Sequence, residues 1–214
     1  MDYNELKEAL MSAEPSEYFE KYKNDGELRA VLPELVPLIG SEQNKKYHLE
    51  DVWEHTMMCI DIAATVKGRS ANPEAFMLGT LVHDIGKPEA QTVSIDAAGE
   101  VIIHTKKHPK IGVPIASRLM DRLAVKEDIA EYVRKFVLYH DFLNIVDKKI
   151  TSEREAEELI KEVDGCGILD DIMLFHDEVD INGVIPGIAS AKKRAMPIAH
   201  ARVRKYLQMV REMQ

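Results

Sequence analysis

Apolar positions recur along the chain three and four residues apart, the spacing of helices that bury one face. Leu6, Ala9 and Leu10 mark a first helix over Asp2 to Met11. Pro15 and Ser16 open a second, short one carrying Tyr18, Phe19 and Tyr22, and Asn24-Asp25-Gly26 breaks it. Short apolar turns from Leu28 to Ile39, interrupted by Pro33 and Pro37, end at Gly40, and Ser41 to Glu50 reads as a polar loop. Amphipathic helices are predicted for Trp53 to Val66, Val125 to Tyr139 and Thr151 to Val163, the last opened by a Ser152/Glu155 capping box. Another begins at His108, with Pro109 in its first turn. Phe76, Met77, Leu78, Leu81 and Val82 are dense enough for a buried helix, stopped by Gly86 and Pro88. Ile168 to Ile181 reads as one helix with Ile172, Met173, Phe175 and Val179 inward, and Ser190 to Met213 as a basic one.

The period changes once. Thr92 to Ile95 and Val101 to His104 are β-branched runs around a turn containing Gly99, which predicts a small β-hairpin near residues 91–104 on the rim of a pocket. The expected architecture is all-α, a helical bundle with that hairpin, in a single domain over 1–214 whose core spans about 32–183.

Composition changes this picture little: 45% of residues are hydrophobic and 30% charged, ordinary for a helical protein of 214 residues. A net charge of -9 argues against a broad nucleic-acid-binding surface, which needs clustered Lys and Arg. Local basic spots remain, in the final helix at Lys192, Lys193, Arg194, Arg202, Arg204 and Lys205. Cys59 and Cys166 read as reduced thiols of a cytoplasmic protein. The apolar runs are too short to span a bilayer, and Met1 to Glu5 lacks a signal pattern.

The candidate chemistry centres on Thr80-Leu81-Val82-His83-Asp84-Ile85-Gly86-Lys87-Pro88. Neighbours on a helix point about 100° apart, so His83 and Asp84 cannot both face the core, yet both can reach one metal ion beside the helix end. Lys87 stands close enough to meet an anion held there. A lone His-Asp pair is weak, because His140-Asp141 and His176-Asp177 occur too. His55, in an earlier amphipathic helix, His108, His140 and the pair Asp177/Asp180 supply further donors. A core role competes for His55, and a helix-end role for His140, where the dipole favours a cation.

The series His55, His83-Asp84 with Gly86-Lys87, His108, His140 and a late Asp resembles the HD superfamily of metal-dependent phosphohydrolases. The likeness is closer to the HD domain attached to some bacterial CCA-adding tRNA nucleotidyltransferases, through Pro33-Glu34-Leu35, Gln43, Tyr47-His48, Asp51 to Thr56, Leu81 to Pro88, and His108 with Gly112. No nucleotidyltransferase segment stands before these residues, so CCA addition is not expected. A Glu commonly follows the third histidine in the family; here Pro109 does.

The resemblance implies one or two divalent ions: His55, His83, Asp84 and Asp180 hold the first, and Asp84, His108 and His140 serve a second where two bind. Asp180 is preferred to Asp177 because Asp180-Ile181-Asn182-Gly183 is similar to the end of the family helix. His and carboxylate donors suit Mn, Fe, Co, Ni, Zn or Mg. Catalysis falls to Asp84, bridging the ions, and Lys87, lending charge beside a phosphate. The expected reaction is hydrolysis of a nucleotide or cyclic-nucleotide phosphate ester by metal-activated water, in a phosphodiesterase or phosphatase. A non-catalytic RNA- or tRNA-binding module is the alternative, and a di-iron oxygenase a third. Nothing in the sequence indicates a membrane partner or fixes an oligomeric state.

Overall fold

The computed structural model describes residues 1–185 and 196–213. Its first elements are α1 (Tyr3–Met11), α2 (Ser16–Asn24), α3 (Leu28–Val31) and a 3-10 turn at Pro33–Leu38. The long helix α4 (Val52–Val66) follows, then α5 (Pro73–Val82), α6 (Lys87–Ala90), strands β1 (Thr92–Ile95) and β2 (Val101–His104), α7 (His108–Arg122) and α8 (Glu127–Tyr139). The chain continues through α9 (Phe142–Val146), α10 (Glu153–Gly165), α11 (Leu169–Leu174), a π-helical turn at Phe175–Asp180 and α12 (Pro197–Glu212). The expected all-α bundle with one hairpin is therefore what the chain forms. Of the expected basic final helix, Lys192, Lys193 and Arg194 lie outside the described residues.

Local chemistry sets the helix starts. The Asp2 carboxylate accepts from the amides of Asn4 and Glu5, and Glu5 returns the bond to Asp2 N. Reciprocal boxes of the same kind start α4, with Asp51 and Glu54, and α10, with Ser152 and Glu155. Asn72 caps α5 ahead of Pro73. The hairpin pairs Thr92 with His104 and Ile95 with Val101, and Gly99 takes φ +83° in its turn.

Helix α5 is the centre of the core, and every residue from Ala75 to Val82 is buried. It packs against α4 on one side and α8 on the other, while α7 lies on α8. Phe76 and Phe136 meet edge to face, 5.9 Å between centroids. Gly79 lets the helices close, since a Cβ there would sit 2.8 Å from the Phe136 ring. The consequence for function is geometric: the C-terminal ends of α5 and α8 and the N-terminal end of α7 converge around one interior point.

The 41–50 segment is a polar loop with two sides: Lys45, Lys46 and Tyr47 are exposed, while Ser41, Gln43, His48 and Glu50 are buried. Its groups stay satisfied because Glu50 accepts from Leu49 N, from Ile185 N and at 2.6 Å from His48 Nδ1. Burial opposes ionisation of Glu50, but the His48 bond and these amides hold its carboxyl down at about 2. One expectation needs correction: 168–181 is not one α-helix. It turns π after Leu174, and the i to i+5 bond from Ile181 N to His176 O shows the widened turn.

Candidate metal centre

His83 and Asp84 follow the last residue of α5 and are only 1% and 2% exposed. The expectation that one of them must face away from the interior is thus overturned. Because the helix ends at Val82, both side chains turn into a polar pocket enclosed by α4, α7, α8 and the 175–180 turn. Asp84 lies at its centre. Its Oδ2 is 3.1 Å from His83 Nε2 and 3.6 Å from His55 Nε2, and its Oδ1 is 3.2 Å from His108 Nε2 and 3.6 Å from His140 Nε2.

Each imidazole is oriented from behind by a backbone carbonyl. His55 Nδ1 donates to Gly183 O at 2.7 Å, His83 Nδ1 to Thr80 O at 2.7 Å, His108 Nδ1 to Thr105 O at 2.8 Å and His140 Nδ1 to Val137 O at 2.9 Å. With the proton on Nδ1, the Nε2 lone pair points inward. These lone pairs face one another: His55 Nε2 to His83 Nε2 is 3.3 Å, and His108 Nε2 to His140 Nε2 is 3.0 Å. Two acceptors at that distance repel unless a proton or a metal ion lies between them.

The separations fit a divalent ion. Bonds of roughly 2.0–2.2 Å to imidazole and carboxylate hold neighbouring ligand atoms about 3.0–3.5 Å apart. On one side His55, His83, Asp84 Oδ2 and Asp180 gather, with Asp180 Oδ1 3.3 Å from His55 Nε2. On the other stand Asp84 Oδ1, His108 and His140. Asp84 Oδ2 is buried, with the Lys87 ammonium and the imidazoles of His83 and His55 as its neighbours, so it stands among charge-compensating groups that a metal ion can join.

The electrostatics agree. Burial disfavours a charged Asp84, but the imidazoles around it, His83 foremost, and the Lys87 ammonium hold its carboxyl well below the usual range. Burial pushes against a proton on His55 and His140 as well, yet Cys59 and Asp180 raise the first and Asp84 raises the second. His83 is lowered by burial. The buried Asp84 carboxylate makes the pocket favourable to positive charge.

The six residues expected to bind metal therefore come together, and Lys87 joins them. Its Nζ is 2.5 Å from Asp84 Oδ2 and 2.7 Å from Gln43 Oε1. Asp177 does not join, because the π turn sends it towards His176 and His200. Sequence reading gave no site role to three residues found here. Cys59 Sγ is 3.6 Å from His55 Nε2, an i, i+4 neighbour on α4. Gly183 supplies the carbonyl behind His55. Asp141 lines the pocket mouth, where burial raises its carboxyl; only the repeated His-Asp dipeptide hinted at it.

Gly183 is also sterically required, since a Cβ there would lie 2.4 Å from Cys59 Sγ. Gly183→Ala is expected to weaken metal binding by about 10–100-fold, the usual cost of disturbing the group behind a ligand. Metal titration of the variant checks this, and the double variant Gly183→Ala/Cys59→Ala, which removes the clashing sulfur, should recover most of the loss.

A cleft of about 330 Å³ opens beside the pocket, lined by Gln43, Asn44, Tyr47, His48, Lys106 and Lys107 among others. Ile103 and His104 contribute to it, so the hairpin does form part of the rim. A smaller cavity of about 50 Å³ touches Asp84, His140, His176 and Asp180, and Lys87, His108 and Asp141 line both spaces.

The HD domain family model, that of a superfamily of metal-dependent phosphohydrolases, matches residues 52–137, and the all-α fold is consistent with it. Among curated relatives, the Multifunctional CCA protein of Haemophilus ducreyi is 28% identical over 156 residues, 72% of this chain and 36% of that protein. Those of Actinobacillus pleuropneumoniae and Paracidovorax citrulli are each 29% identical, over 64% and 82% of this chain and 32% and 38% of their own length. The chain thus spans about a third of the length of the curated relatives it matches.

Proposed function

We propose that the chain is a hydrolase of phosphate esters that holds divalent metal, with a nucleotide or cyclic nucleotide as substrate. The observation that carries this reading is the division of the donors into two sets at ligand spacing around the two oxygens of Asp84. His55, His83, Asp84 and Asp180 form the first set. Asp84, His108 and His140 form the second, and three protein donors leave positions open to water and substrate. Divalent ions in such a pocket polarise a phosphoryl oxygen and make water a competent nucleophile near neutral pH.

The chain's own residues would do the rest. Lys87, held by Gln43 and Asp84, puts its ammonium where both spaces meet, and there it would stabilise negative charge on a phosphate. Lys106, Lys107 and the amides of Gln43 and Asn44 give the cleft donors for an anionic, hydrogen-bonding substrate, and Tyr47 a ring to stack on a base. No described helix is long and apolar enough to cross a membrane. The two free cysteines support a reducing, cytoplasmic setting for this activity.

The name of the CCA relatives favours a second reading, an RNA-binding module. Against it, Arg202 of the basic final helix is spent inside the fold, on Glu153 and the carbonyls of Val146, Lys148 and Thr151. The test is elemental analysis of the purified chain, then turnover of nucleoside monophosphates, 2′,3′-cyclic nucleotides and aryl phosphates with Mn, Fe, Co, Ni, Zn or Mg. Metal-dependent phosphate release supports the hydrolase. Salt-sensitive RNA binding with no hydrolysis of any ester supports the second reading and removes the first.

A further inference from the structure

The proposed reaction lacks one part: a group to protonate the departing oxygen. Ordered away from the metal ligands, one side chain has the required form. His176 is 3% exposed and lines the 50 Å³ cavity together with Asp84, His108, His140 and Asp180. Its Nδ1 is bound to Asp177 Oδ1 at 2.8 Å. The polar atom it has left, Nε2, is buried without a hydrogen-bond partner among the described residues. Leaving a buried imidazole nitrogen unpaired costs free energy, and such an atom in a native fold calls for an explanation.

The surroundings supply one. Asp177 Oδ1 is also 3.1 Å from His200 Nε2, contributed by α12, so a carboxylate placed between two imidazoles orients the inner one. Burial raises the Asp177 carboxyl, but His176 and His200 outweigh it and keep it anionic. An anion behind Nδ1 fixes the ring and stabilises it when Nε2 carries a proton, the arrangement general acids use. The π turn explains how one short segment serves both purposes. In the wider turn His176 and Asp180, four apart, both reach the cavity, while Asp177 points to α12.

We propose that His176, oriented by Asp177, is the proton donor to the leaving group in phosphate-ester hydrolysis, with Asp177 and His200 as positioning residues. The inference rests on the hydrolase reading. In the step, the water oxygen bonds to phosphorus and the P–O bond to the alcohol or phenol breaks with its electron pair on that oxygen. The Nε2 proton of His176 moves to it, and the proton lost by the water restores His176. The sum is ester plus water giving alcohol plus phosphate.

Leaving groups of different acidity test this, because a departing 2,4-dinitrophenolate needs no proton and a phenolate does. In the metal-loaded protein, His176→Gln is expected to slow phenyl phosphate hydrolysis by about 10²-fold or more, the usual worth of a general acid. Hydrolysis of 2,4-dinitrophenyl phosphate should fall less than about tenfold, with metal content equal to that of the wild type. Asp177→Asn, which keeps the ring, should show a smaller split of the same sign and covers the case that His176→Gln does not fold. Equal losses on both esters would overturn the proposal, as would a lost metal equivalent, which would make His176 a ligand. Were the loaded wild type to hydrolyse neither ester nor any nucleotide, the hydrolase reading would fall first and this inference with it.

Discussion

Asp84→Ala is expected to lose metal from both halves of the pocket at once. One oxygen of Asp84 faces His55 and His83 and the other faces His108 and His140, so no other residue belongs to both sets. Its removal also strands the Lys87 ammonium, whose side chain is 11% exposed and which keeps only the neutral Gln43. Each donor set then loses its carboxylate oxygen and is weaker for a cation. Turnover should fall by more than the roughly 10²–10³-fold that one electrostatic donor is worth. Asp180→Ala is the contrast: Asp180 stands beside His55, and the His108–His140 side should keep its ion. Elemental analysis of both variants separates the cases, and wild-type metal content in Asp84→Ala would remove the shared-carboxylate account altogether.

What could be seen in the sequence and what could not divides along a physical line. Periodicity reports which face of a segment is buried, so α1, α2, α4, α5, α7, α8 and α10 and the hairpin around Gly99 were readable within a few residues, whereas the short helices α6 and α9 are too brief to show a period. The order His55, His83-Asp84, His108, His140 was readable because each residue sits at the end or on the inward face of a periodic segment. Properties created by contact between distant segments left no local trace. Gly183 O behind His55 joins residues far apart in the chain. Burial of one side of the 41–50 loop depends on a carboxylate, Glu50, that receives an amide from Ile185. Asp177 and Asp180 should share a side of an α-helix by their spacing; the π turn, which has no sequence signature here, separates them. His176 looked like one more chance His-Asp pair because its second partner, His200, arrives from α12.

The same logic singles out Gly86, whose role is spatial rather than conformational. Its φ of -87° suits any residue, but an added Cβ would lie 2.2 Å from His108 O and 2.5 Å from Gly112 N. These are backbone atoms of the first turns of α7 and cannot swing aside as a side chain would. Gly112 in turn approaches Gly86 N, and its own Cβ would meet Val137 at 3.0 Å. Two glycines thus let the turn after His83-Asp84 press against α7, and this contact brings His108 within 3.2 Å of Asp84. Gly86→Ala is therefore expected to push the start of α7 outward and carry His108 away from the shared carboxylate. Overpacking of this kind costs about 1–3 kcal/mol, so the variant should fold with a lowered melting temperature. It should bind metal on the His55–His83–Asp180 side and lose it on the other. Phosphate-ester turnover should drop on the order of 10²-fold, the upper range for displaced ligand support. Gly165→Ala, at a position where a Cβ meets nothing within 4 Å, is the control and should change neither metal content nor rate. Were Gly86→Ala to bind metal in the wild-type amount, the close approach of the two glycines would be mere packing, and His108 would need another explanation for its place beside Asp84.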